Sequence, residues 1–108
     1  MASAKKSKVR PVKVTDESAV IRCLAGDGVI RVEAWKDNKG KIIRFNLAFI
    51  NFYLFARDNG RVLGYDTAHG HLHRHFAGTV EPIEAAPCEK VYRRFFREVE
   101  ALRKREHL

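Results

Sequence analysis

Apolar residues recur at every second position through residues 18–83, and at every third or fourth through residues 87–102. A period of two belongs to strands with one covered face, and a period near 3.6 to a helix with one apolar side. The chain therefore divides into a long β region and one closing helix. Its 108 residues, 45% of them hydrophobic, supply one core and one domain. A large enzyme carrying its own cofactor domain is excluded.

Turn residues mark off the strands. Residues 19–24 read as a first strand and Gly26-Asp27-Gly28 as a tight turn, and residues 29–35 follow with Ile30, Val32 and Ala34 on one face. Residues 42–57 are too long for one ordinary strand, and their apolar phase switches from Ile43, Phe45, Leu47 and Phe49 to Ile50, Phe52 and Leu54. A β-bulge or a bend near Phe49 accounts for the switch. Asp58-Asn59-Gly60 reads as a type I′ hairpin turn. Residues 61–66 lead out of it, residues 67–70 turn, and residues 71–76 return; a strand over residues 79–83 carries Pro82 and so belongs at an edge. Beyond Pro87, which suits a first helical position, Val91, Tyr92, Phe95, Phe96, Val99 and Leu102 share one side of a helix. Lys90, Arg93, Arg94, Arg97 and Lys104 share the other. The expected architecture is α+β, an antiparallel β-meander packed against one C-terminal amphipathic helix.

The formal charge of +8 is not spread evenly. Residues 1–15 hold five basic groups and no acid, residues 16–87 hold nine of each sign, and residues 88–108 hold seven basic and four acidic groups. We read residues 1–15 as a flexible basic arm and residues 16–108 as the folded domain. Clustered Lys and Arg suit a polyanionic partner, because each phosphate contact releases counterions. A solvated tail and a solvated helix face are the plainer alternative. Cys23 and Cys88 are too few for a disulfide scaffold, no apolar run reaches bilayer length, and the basic N-terminus has no apolar segment behind it. A soluble cytoplasmic protein without membrane contact is expected.

Four of the five histidines fall in His69-Gly-His71-Leu-His73-Arg-His75, all at odd positions. In a strand such residues share a face. With a four-residue turn, Asp66 pairs with His71, Gly64 with His73 and Val62 with His75. Leu63, Tyr65, Leu72 and Phe76 then form the core side. Three chemistries fit this strand: an idle solvated row, zinc held by His71, His73 and His75 with Asp66 or a fourth histidine as a further ligand, or acid–base work on RNA. In the last, His73 and His75 form the acid–base pair and need no cofactor. His71 and Asp66 support them, and Arg74, Arg61 or the helix cations Lys90, Arg93, Arg94 and Arg97 bind phosphate. His-x-His-x-His also resembles the signature of histidine-triad nucleotide hydrolases, but Arg74 breaks its apolar spacing.

Residues 60–76, with Tyr65-Asp66-Thr67 leading into the histidines, resemble the TumE-type toxins of prokaryotic toxin-antitoxin modules, as does the later Phe95-Phe96 pair. By that resemblance Tyr65, Asp66, His69, His73 and His75 are motif positions, and Thr67 stands where asparagine is expected. The resemblance implies a toxin neutralised by a cognate antitoxin, a small DNA-binding protein. RNA binding and cleavage rest on the residues themselves. The rival from another class is a non-enzymatic module that docks nucleic acid or an acidic protein, and the oligomeric state stays open.

Overall fold

The structure is a computed structural model describing residues 10–108, without the side chain of His69. Lys5, Lys6 and Lys8 of the expected basic arm lie outside the described residues. Six strands follow one another as β1 (Val12–Ile21), β2 (Gly28–Lys36), β3 (Ile42–Ile50), β4 (Arg61–Asp66), β5 (His73–Phe76) and β6 (Thr79–Pro82). They form one sheet in chain order, every neighbouring pair antiparallel, and the helix α1 (Cys88–Leu102) lies against β3 and β4. The architecture is α+β, a meander covered on one face by a C-terminal helix. Among the described residues no helix is long and apolar enough to cross a membrane.

The period-two residues build the covered face. Ile30, Val32 and Ala34 of β2, Phe45, Leu47 and Phe49 of β3, and Leu63 and Tyr65 of β4 are buried with Val91, Phe95, Val99 and Leu102 of α1. Each large side chain buried here stabilises the fold by roughly 1.5–3 kcal/mol. Tyr92, at the rim of the helix stripe, stays exposed.

Three boundaries differ from the sequence reading. First, β1 reaches back to Val12, inside the segment read as an arm, and ends at Ile21. Its residues are exposed along nearly the whole strand, so it has no buried face to mark it. The ladder to β2 holds it, with Lys13 donating to Glu33 at 2.8 Å and Arg31 to Asp16 at 3.1 Å.

Second, β3 stops at Ile50, with the register against β4 shifting between Phe49 and Ile50 as the phase switch implies. The following apolar residues form a loop instead of a second strand. Phe52 and Tyr53 are exposed while Asn51 is 1% exposed, and its amide donates to the Gly26 carbonyl at 2.9 Å. Asn51 Oδ1 accepts from the Tyr53 and Leu54 amides at 2.9 and 3.2 Å. The turn into β4 is left-handed, but centred one residue early: Asp58 and Asn59 have φ of 51° and 55°, and the Gly60 amide donates to Arg57.

Third, β5 begins at His73, and a 3-10 turn over Ala68–Gly70 lengthens the connection. Asp66 pairs with His73 and Gly64 with His75, two residues from the expected register. A shift of two keeps every side chain on its face. Leu63, Tyr65 and Leu72 are accordingly buried, and Phe76 packs against the core.

Candidate functional site

Because side chains alternate across a strand, the sheet separates the residues that the sequence grouped into one site. His73 and His75 point to the open face, away from α1, with their register partners Asp66 and Gly64. Arg74 points to the helix face with its partner Tyr65.

On the open face Asp66 is the organising group. Its Oδ1 accepts the Ala68 amide at 3.2 Å, and its Oδ2 lies 2.8 Å from His75 Nε2 and 3.8 Å from Arg61 Nη1. With a carboxylate as partner, His75 Nε2 is the donor of this contact. The other ring nitrogen, Nδ1, is buried and has no hydrogen-bond partner. Arg61 Nε also donates to Asp58 at 3.0 Å. A Cβ on Gly64 would sit 2.9 Å from Arg61 Cδ, so the glycine lets the arginine lie across β4 toward Asp66.

His71 is exposed and lies just ahead of β5, and its ring meets that of His73 edge to face with centroids 6.5 Å apart. His69 belongs to the 3-10 turn, and its side chain lies outside the described residues. Thr67, in the position where asparagine was expected, accepts the Phe45 amide at 3.0 Å through its hydroxyl and pins this turn to β3. Among the described residues, no three His, Cys, Asp or Glu side chains gather as a metal site.

The open face continues past Asp66 as a shallow hollow bounded by Trp35, Arg44, Asn46, Arg61 and Ala68. Arg44 lies over the Trp35 ring at 4.3 Å and Lys13 at 5.1 Å. Hydrogen bonds from Lys13 first and Asn46 second hold the Glu33 carboxyl below the usual range. Charges on this part of the face are largely paired.

The helix face differs. Arg74, expected as a phosphate ligand, is taken up internally: its Nε donates to the Tyr65 hydroxyl at 3.0 Å and its Nη2 to Glu98 at 2.9 Å. The Tyr65 hydroxyl in turn donates to Glu98 at 2.5 Å. Burial, then the Glu98 bond, pushes the Tyr65 phenol up to about 12.

Beside this network opens a cleft of about 660 Å³ between α1 and residues 83–87, lined by Lys90, Arg93, Arg94 and Arg97 with Glu84 as its one acid. Its walls also include Leu72, Ile83 and Val91. Arg94 approaches Glu98 at 3.7 Å, while Lys90, Arg93 and Arg97 have no carboxylate partner among the described residues. Four of the six expected nucleic-acid ligands thus meet in one cleft. They do so on the face of the sheet opposite His73 and His75. Arg61 is the one expected phosphate ligand on the histidines' face.

Searches for similar proteins found no match to any family model, curated protein or solved structure.

Proposed function

We propose that the protein binds single-stranded RNA through the cleft beside α1, as the toxin-like component of a toxin-antitoxin module. One observation carries the reading: three cations without carboxylate partners among the described residues line a single cleft. Unpaired cations on the wall of a low-dielectric groove focus positive potential and favour a phosphate chain. The half-buried Ile83 and Ala86 add nonpolar surface beside the cations.

The likeness of residues 60–76 to TumE-type toxins supports the toxin role and a small DNA-binding antitoxin as partner. Two free thiols, Cys23 and Cys88, suit a reducing compartment, and we place the protein in the cytoplasm.

Fluorescence anisotropy of a labelled single-stranded RNA across a salt series tests the binding. Three to four phosphate contacts give a slope of log affinity against log salt of about −2 to −3. The double variant Arg93→Ala/Arg97→Ala lowers that slope by about 1.4, near 0.7 for each lost contact. A salt-independent affinity, or a double variant that binds as wild type does, would falsify the cleft assignment. Binding an acidic protein in preference to RNA would replace the RNA reading with a protein-docking one. In cells, expression of the chain alone arrests growth and co-expression with its antitoxin restores it; growth without arrest removes the toxin role.

A further inference from the structure

We propose that the open face of the sheet holds a second, catalytic site, which cleaves RNA phosphodiesters by histidine acid–base chemistry. The inference rests on the RNA-binding reading for its substrate class, but uses none of the cleft residues. His71 and His73 are the acid–base pair, Arg61 is the phosphate cation, and Asp66 and His75 are positioning residues.

The assignment follows from which ring nitrogens are at liberty. His75 spends Nε2 on Asp66 at 2.8 Å, and its Nδ1 is buried without a partner. It has no nitrogen left to exchange a proton with a substrate. His71 is exposed and His73 partly so, and neither ring is hydrogen-bonded to another described side chain. The pair therefore moves one place along the strand from the His73–His75 pair that the sequence suggests.

An in-line displacement sets the attacking and leaving oxygens on opposite sides of phosphorus, so base and acid must stand apart. A ring separation of 6.5 Å suits that better than direct contact. Beside His73, in register, stands Asp66, and against Asp66 lies Arg61. The His75–Asp66–Arg61 chain holds a guanidinium on the face that His73 shares. Arg61 is the guanidinium 3.8 Å from Asp66 on this face, whereas Arg74 lies on the other, bound to Tyr65 and Glu98.

The step balances without a co-reactant. One imidazole takes the proton of the ribose 2′-OH as the 2′ oxygen bonds to phosphorus. The phosphorus–5′ oxygen bond breaks, and the second imidazole, in its protonated form, gives its proton to the leaving oxygen. The products are a 2′,3′-cyclic phosphate and a 5′-OH, and the negative charge gathering on the non-bridging oxygens falls to Arg61.

The test uses a ribodinucleotide, too short to need the cleft, with the cyclic phosphate product followed in EDTA. Wild type cleaves it and leaves the deoxy analogue intact. His71→Ala and His73→Ala each lose about 100-fold or more, and each removes one limb of the pH–rate profile. Asp66→Asn and His75→Ala lower kcat with both limbs retained, as positioning residues do. Thermal melts and His73→Gln separate lost chemistry from lost folding. Three results overturn the proposal: an intact ribodinucleotide with wild type, cleavage by both alanine variants at the wild-type rate, or activity that EDTA abolishes and zinc restores. RNA anisotropy on the same samples keeps the two readings distinct, because binding through the cleft survives all three.

Discussion

Tyr65 shows how a motif residue can be spent on structure. It is fully buried under α1, its ring meets Phe95 edge to face at 6.2 Å, and its hydroxyl joins Arg74 to Glu98. Tyr65→Phe keeps the ring and removes the bridge, leaving Arg74 Nε and one Glu98 oxygen short of a partner. We expect a loss of about 1–3 kcal/mol in urea titrations at neutral pH. The pH dependence carries a further signature. The phenol titrates at 10.0 when exposed and at about 12 in the fold, so the folded state holds its proton where the unfolded state has released it. The contribution is full below pH 10.0 and is lost as pH rises toward about 12, at no more than about 1.4 kcal/mol per pH unit. Wild type should therefore lose more stability than Tyr65→Phe across that window. Equal losses would show that the phenol is not held by the fold.

At the scale of elements, legibility followed local periodicity. The helix was readable because Val91, Phe95, Val99 and Leu102 repeat at spacings of three and four, and all four are buried. The end of β3 was readable from the phase switch at Phe49. What escaped was set by distant partners. β1 is exposed along most of its length, and its Lys13 and Asp16 find Glu33 and Arg31 only once β2 pairs with it. Residues 71 and 72 read as strand because a four-residue and a six-residue connection preserve the same parity. Of the site, the shared face of His73 and His75 was legible from parity, and Asp66 joined it through an even-length turn. The separation of Arg74 from them follows from the same alternation, but its partner Glu98 lies on another element. Loop 51–60 was the largest miss, since the organising contact joins Asn51 to Gly26. Asn51→Ala leaves the Gly26 carbonyl and two loop amides without that partner. It should cost about 2–4 kcal/mol and speed proteolysis within the loop before other segments. Cleavage of the variant no faster than wild type would deny the loop its anchor.

For the whole molecule, the sheet is a partition between a basic cleft, three of whose four cations have no carboxylate partner among the described residues, and a histidine face whose neighbouring charges are mostly paired. A polyanion is drawn first to the cleft, because its potential is not cancelled locally. β6 is the sheet edge beside both sites, and Thr79–Pro82 are exposed along it, which gives a chain entering both a path around that edge. Binding in the cleft then raises the local concentration of the same strand at the histidines, an advantage that exists only when the RNA is long enough to span both. Length should therefore switch the effect of the helix cations on cleavage. Arg93→Ala/Arg97→Ala leaves kcat/KM for a ribodinucleotide within about twofold of wild type, and lowers it about tenfold or more once the RNA exceeds the span. The transition between the regimes measures the path around the edge. His73→Ala lowers the rate at every length, so the two effects on free energy add for the short substrate, as for sites without shared partners. A penalty from the cleft variant that is equal at all lengths would mean the arginines act at the cleavage site itself, and the two-sided arrangement would be wrong.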